Sequence, residues 1–203
     1  MDELKLCLVT DRHQTRGRDL VEVVAACAGS GLPAVQVREK DLPVTEVVAL
    51  CRYLRARAPS PFLIVNDRAD VALAVGANAV QRTHASLSVA DLRVVVDKRM
   101  KIGASVHSVD EARRAAGEGA DYLFFGPMYD TPSKRAYGPP QGLTALERAV
   151  GAVDVPVVAI GGITLERVPE VRAAGARGVA VISAILAADD PAMATRRFLG
   201  AVR

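Results

Sequence analysis

Tryptophan is absent, and with four Tyr and four Phe the aromatics make up only 4% of the 203 residues. A core with so few rings must be filled by Val, Leu, Ile and Ala, the mix of buried parallel strands and alanine-rich packing helices. Cysteine is scarce as well. Cys7, Cys27 and Cys51 are odd in number, lie in apolar stretches and lack metal-ligand spacing. They read as reduced, buried thiols, not as disulfides or a zinc site. Long apolar runs are missing. The opening MDELKLCLVTD sets acidic residues before a short apolar run, which is neither a signal peptide nor a spanning helix, so a cytoplasmic location is expected. Blocks of one charge are missing too. The 26 basic and 23 acidic residues are dispersed and leave a net charge of +3. Neither a nucleic-acid partner nor a membrane partner is expected, while the mild positive balance fits a small acidic ligand.

What is present is a regular alternation. Short β-rich runs fall at Leu4–Thr10, Ala34–Arg38, Phe62–Asn66, Ala79–Arg82, Lys101–Ser105, Tyr122–Gly126, Val155–Gly161 and Gly178–Ser183. Helical patterns separate and follow them at Leu20–Gly31, Val44–Ala58, Arg68–Gly76, Val89–Lys98, Ser108–Gly119, Leu143–Val153, Leu165–Gly175 and Pro191–Val202. Ser108 with Glu111 has the form of a capping box, and Thr164 stands just before a helical run. Gly31, Gly76, Gly119 and Gly175 sit where helices should stop. No linker or low-complexity stretch divides the chain. The expectation is an α/β chain forming a single-domain (β/α)8 TIM barrel over residues 1–203; an open doubly wound sheet is the alternative. The one long irregular segment is 127–142, PMYDTPSKRAYGPPQG, rich in proline; such loops in compact domains are usually functional or mobile.

Active sites of such barrels form at the C-terminal ends of the strands. Strand 2 ends in VQVREK, which puts Gln36, Arg38 and Lys40 on one face of an extended segment; a carboxamide and two cations suit an anion, and a solvated charged turn is the alternative. Strand 3 ends in Asn66 and Asp67. The carboxylate could hold Mg2+ beside a phosphate or merely cap the next helix. Strand 5 supplies Ser105 and His107, the histidine acid–base or structural. The loop after strand 6 offers Thr131, Ser133 and Lys134, two hydroxyls and a cation suited to pyrophosphate. Strands 7 and 8 end in IGGI and VISAI, where Gly161, Gly162 and Ser183 could bind a phosphate through backbone N–H groups and a hydroxyl.

Taken in order, LVTD, VQVREK, LIVNDRADVALAVGANAV, SVHSVDEA, GADYLFFGPMYDTPSK, VPVVAIGGIT and GVAVISAI resemble the thiamine phosphate synthase family over nearly the whole chain. That resemblance implies a transferase for thiamine biosynthesis. It would join hydroxymethylpyrimidine diphosphate to thiazole phosphate and release pyrophosphate, the leaving group departing before the thiazole nitrogen attacks. By motif, Gln36, Arg38, Lys40, Asn66, Ser105 and Lys134 would bind the pyrimidine diphosphate, with Arg38, Lys40 and Lys134 as the catalytic cations. Asp67 would ligate Mg2+. Thr131 and Ser133 would lie between the substrates, and Gly162, Ile182 and Ser183 would hold the thiazole phosphate. The implied partners are small phosphorylated molecules, and a homo-oligomer is left open. One stretch departs from the pattern. Where the family reads H-x-G-Q-E-D after strand 4, this chain has QRTHAS at 81–86, so Ser86 replaces the second Mg2+ carboxylate. Ser86-Leu87 is similar instead to the sister thiazole tautomerases, whereas Pro127 stands where a tautomerase histidine is expected. A tautomerase and a non-catalytic phosphate-binding homologue are therefore the alternatives.

Overall fold

The computed structural model describes residues 1–96, 98–130 and 139–203. Eight parallel strands close into a barrel in sequence order: β1 (Leu6–Val9), β2 (Ala34–Val37), β3 (Phe62–Asn66), β4 (Ala79–Arg82), β5 (Lys101–Val106), β6 (Tyr122–Phe125), β7 (Val157–Ile160) and β8 (Gly178–Val181). The helices are α1 (Leu20–Gly29), α2 (Val44–Arg57), α3 (Ala69–Ala74), α4 (Val89–Val95), α5 (Val109–Gly117), α6 (Gly142–Val150), α7 (Val168–Ala173), α8 (Ser183–Leu186) and α9 (Pro191–Ala201). Closure leaves no strand edge unpaired: β8 pairs with β1 as β1 pairs with β2.

The period of two along each strand divides the apolar residues into two layers. Val35, Val37, Leu63, Val65, Val80, Ile102, Leu123 and Phe125 face outward and pack under the helices. Cys7, Val9, Ala34, Ile64, Ala79, Tyr122, Phe124, Val158 and Ala180 fill the barrel interior. All three cysteines are free and buried.

Several boundaries differ from the sequence reading for local reasons. Residues Asp2–Lys5 form a single 3-10 turn, so β1 starts at Leu6 and not at Leu4. Strands 7 and 8 are shorter than expected, because Gly161 leaves extended geometry at φ 102° and Ser183 opens the one-turn helix α8, an element the periodicity did not reveal. Thr164 makes no side-chain cap; a 3-10 turn, Leu165–Arg167, leads into α7 instead. The other punctuation holds. Ser108 Oγ accepts from Glu111 N–H at 3.1 Å, and Glu111 accepts from the N–H of His107, one residue earlier than in the standard box. The four expected stop glycines all adopt positive φ, from 60° to 96°.

The N-terminal end of the barrel is tied by ion pairs. Asp121, before β6, accepts from Ile102 N–H at 2.8 Å and from Lys101 Nζ at 3.1 Å, and it pairs with Arg93 of α4. Arg93 also donates to the carbonyls of Met100 and Gly119. Burial raises the Asp121 carboxyl, but the Ile102 amide and the two cations outweigh it and hold the group below the usual carboxylate range. Arg177 pairs with Asp2 nearby in the same end of the fold.

Candidate functional site

The C-terminal ends of β2 to β5 carry a polar floor inside the barrel. Gln36, buried, donates through Nε2 to Asn66 Oδ1 at 2.9 Å. Gln81, fully buried, donates through Nε2 to Ser105 Oγ at 3.1 Å. These residues share the inward face because each follows the inward Ala34, Ile64 or Ala79 by two, or lies in register with an inward residue of the next strand, as Ser105 does with Phe124. Gly103 makes room for them. A Cβ there would lie 2.2 Å from Gln81 Oε1 and 2.3 Å from the Tyr122 ring. Gln36 Oε1, Gln81 Oε1 and the Tyr122 hydroxyl are buried without a hydrogen-bond partner among the described residues.

Above the floor lie the cations. Thr10 accepts the Arg38 N–H at 2.9 Å and donates its own N–H to the Gln36 carbonyl at 2.9 Å, fixing the exit of β2. The strand expected to run through Arg38 stops at Val37, and residues 38–41 leave it into a turn. Glu39, its side chain 1% exposed, pairs with Arg12 at 3.1 Å, and Arg12 forks onto Asp41 at 2.6 and 2.7 Å. Arg12, seconded by His13, holds the Asp41 carboxyl well below the usual carboxylate range. Both acids of the REKD run are thereby engaged. Among the described residues, Arg38 and Lys40 have no carboxylate within ion-pair distance. Partial burial and the charge of Arg38 push Lys40 below the ordinary lysine value, while Asp67 draws it up. The two cations and Asp67 therefore share one electrostatic neighbourhood.

Asp67 adopts φ 67°, in the left-handed region that Asp tolerates better than most side chains. Its N–H is held by the Gln81 carbonyl at 2.9 Å. One carboxylate oxygen, Oδ1, accepts from Ser86 Oγ and, at 3.4 Å, from Thr83 Oγ1. No described residue donates to Oδ2.

Across the mouth, β7 runs into Gly161 and Gly162, both at positive φ. A Cβ on Gly161 would lie 2.8 Å from Pro127 Cα, so glycine is what lets the chain after β6 lie against it. Met128 and Tyr129 donate to the carbonyls of Ile160 and Gly161 at 2.9 and 3.0 Å. Arg167 donates to the Gly162 carbonyl at 2.6 Å and lies 4.1 Å over the Tyr129 ring. Ile182 packs partly against the barrel interior, and exposed Ser183 begins α8. His107 places Nδ1 against the Gly126 carbonyl, bracing β5 to β6. Thr131, Ser133 and Lys134 lie outside the described residues.

Comparison with known proteins places this arrangement. Residues 6–185 match the family model described as thiamine monophosphate synthase. The chain belongs to the thiamine monophosphate synthase family. It is 44% identical over 200 residues to a putative thiamine-phosphate synthase of Geobacter sulfurreducens, covering 97% of this chain and 93% of that one. It is 43% identical over 191 residues to the thiamine-phosphate synthase of Roseiflexus castenholzii, covering 93% and 84%. Among solved structures, thiamine phosphate pyrophosphorylase from Pyrococcus furiosus superposes with a TM-score of 0.90 at 36% identity, over 99% of this chain and 96% of that one. A 3-hexulose-6-phosphate synthase, at 19% identity and a TM-score of 0.76, shares the fold.

Within this family member, the residues expected from sequence fall into three groups. Gln36, Arg38, Lys40, Asn66, Asp67 and Ser105 converge on one side of the mouth, and Gly162, Ile182 and Ser183 lie at the ends of β7 and β8. Thr131, Ser133 and Lys134 form the third, outside the described residues. Sequence reasoning missed Gln81, Gly103, Thr83 and Tyr122. The signal for Gln81 was there, a carboxamide two residues after the apolar, inward Ala79. Gly103 and Tyr122 become legible only when the register sets them beside it.

Proposed function

We propose that this chain joins hydroxymethylpyrimidine diphosphate to thiazole phosphate, giving thiamine phosphate and pyrophosphate. One observation carries the reading: among the described residues Arg38 and Lys40 have no ion-pair partner and stand near Asp67 at the mouth, while neighbouring Glu39 and Asp41 are engaged by Arg12. Two cations facing a single carboxylate favour a polyanion.

In this reading the diphosphate lies on Arg38, Lys40 and Lys134, and the pyrimidine rests on the floor near Gln36, Asn66 and Ser105. Thr131 and Ser133 lie between the two substrates. The thiazole phosphate is held by the N–H groups around Gly162, Ile182 and Ser183. The bond between the pyrimidine methylene and the diphosphate oxygen breaks, and the electron pair leaves with pyrophosphate. The thiazole nitrogen then donates its pair to the methylene carbon. Cations fixed in place stabilise the charge gathering on the leaving group without reorganisation, and the barrel mouth holds the two reactants in line. No protein nucleophile is required. Mg2+ suits the Asp67 site, since the ion prefers one or two carboxylates with substrate phosphate oxygens, and Oδ2 is a hard donor with no partner among the described residues. Bound there, the ion would neutralise part of the diphosphate charge. No helix of the described residues is long and apolar enough to cross a membrane, and we place the enzyme in the cytoplasm.

Ser86-Leu87 is the one feature favouring the tautomerase alternative, so the test covers both. The purified protein is incubated with both phosphorylated substrates and Mg2+, and thiamine phosphate is quantified against a Lys134→Ala control. Product well above that control is expected. No excess over the control, with isomerisation of the thiazole carboxylate phosphate in the absence of Mg2+, would replace this reading with the tautomerase one.

A further inference from the structure

The substitution of a hydroxyl for a carboxylate at position 86 changes the electrostatics of the Asp67 site. Ser86 and Thr83 close a turn on themselves: Ser86 N–H donates to the Thr83 carbonyl at 3.1 Å, and Thr83 N–H donates to Ser86 Oγ at 2.7 Å. With the Thr83 amide as its donor, Ser86 Oγ is left with one proton to give, and it gives it to Asp67 Oδ1. Thr83 Oγ1 lies 3.0 Å from Ser86 Oγ and 3.4 Å from the same carboxylate oxygen. The carboxylate is thus fixed by hydroxyls on one oxygen and by its own backbone, clamped to β4 through the Gln81 carbonyl.

Two facing carboxylates repel each other and need a cation to stay ionised together. A carboxylate facing two hydroxyls does not. Its charge is satisfied before any metal arrives, and each charge removed from a ligand set lowers its affinity for a divalent ion. Among the described residues no three His, Cys, Asp or Glu side chains cluster to hold a metal. The nearest charges point the same way, since Arg38 and Lys40 share their neighbourhood with the single carboxylate of Asp67.

We propose that Ser86, seconded by Thr83, is a positioning residue. It turns Asp67 Oδ2 toward the site, so that a divalent cation is taken up together with the diphosphate and not by the protein alone. The inference rests on the synthase reading but is separable from it.

The probes are Mn2+ and inorganic pyrophosphate, followed by calorimetry and by the electron paramagnetic resonance signal of free Mn2+. Wild-type protein should bind pyrophosphate without metal, should leave Mn2+ free when pyrophosphate is absent, and should take it up when both are present. Ser86→Ala should weaken Mn2+ uptake in the presence of pyrophosphate by about tenfold or more, the usual loss when a residue supporting a metal ligand is removed. Its metal-free pyrophosphate affinity should stay at the wild-type value, and Ser86→Thr should restore the coupling. Ser86→Asp should bind Mn2+ without pyrophosphate, and this arm decides the matter if the alanine variant does not fold. Wild-type uptake of Mn2+ as tight without pyrophosphate as with it, unchanged coupling in Ser86→Ala, or no metal-only binding by Ser86→Asp would each overturn the proposal. Failure of the wild type to make thiamine phosphate with saturating substrates and Mg2+ would overturn the synthase reading instead, and leaves the metal-coupling result to be read on its own.

Discussion

At the N-terminal end of the barrel the Asp121 carboxylate is met by the Ile102 amide, Lys101 and Arg93, and Arg177 is met by Asp2. At the C-terminal end Arg38 and Lys40 have no such partner among the described residues, although acids precede and follow Lys40 in the chain. Both ends pair charges among themselves, but at the C-terminal end, beside Arg12 with Glu39 and Asp41 and Arg68 with Asp70, two cations are left over among the described residues. The difference separates residues that hold the barrel together from residues available to a ligand, as expected of a fold whose sites gather at the C-terminal face. Arg12 maintains the contrast: by engaging Glu39 and Asp41 it removes the counter-ions that Arg38 and Lys40 would otherwise meet.

The largest effect should come from the unpaired end. Arg38→Ala should lower kcat/KM about 100- to 1,000-fold, the usual loss when a fixed group facing transition-state charge is deleted. Its thermal unfolding should stay within about 0.5 kcal/mol of wild type, as for a surface change that breaks no native contact. A large loss of stability would erase the contrast between the two ends. Next comes the floor beneath the site. Gly103→Ala drives a methyl into Gln81 and Tyr122 and should cost about 3 kcal/mol, toward the upper end for overpacking, read in urea melts. Unchanged stability would mean that the floor has slack.

At the paired end, Asp121→Asn should destabilise by about 2 kcal/mol near neutral pH, because two cations lose their counter-charge and one of the two acceptor oxygens becomes an NH2 donor. The sign with pH follows from the direction of the shift. A carboxyl held below its ordinary value in the fold stabilises above the ordinary carboxylate range, and that contribution is lost as pH falls through the folded value. Urea melts of the variant and wild type should therefore converge in acid, while kcat/KM at pH 7 stays near wild type. The smallest effect should be that of His107→Ala, whose ring braces the Gly126 carbonyl. Less than about a tenfold change in kcat/KM is expected, below the range for loss of a general acid or base; a loss beyond that would give His107 a chemical role.

Much of this was legible in the sequence because strand periodicity and glycine stops are local. β3 and β4 fall on the residues read from pattern alone, Phe62–Asn66 and Ala79–Arg82. Gln36, Arg38 and Lys40 were legible as a set because they are spaced by two around the end of β2, although the strand itself stops at Val37. The remainder depends on register and on turns. α8 is a single turn of four residues, too short for a helical period to register. Gly103 matters only through Gln81 and Tyr122 on neighbouring strands, and the partnership of Ser86 with Asp67 joins residues 19 apart through the turn after β4. The sequence could mark Ser86 as a missing carboxylate. Only the turn geometry turns that loss into a hydroxyl bound to the carboxylate that remains.

The contrast between the two ends is tested most directly by calorimetric titration of hydroxymethylpyrimidine diphosphate into wild type, Arg38→Ala and Asp121→Asn at one pH and salt concentration. Binding by wild type and Asp121→Asn with similar Kd, and weakening in Arg38→Ala by about tenfold or more for the loss of a charge-assisted contact, is the expected result. Equal affinity in all three proteins would contradict the assignment of the unpaired cations to the diphosphate.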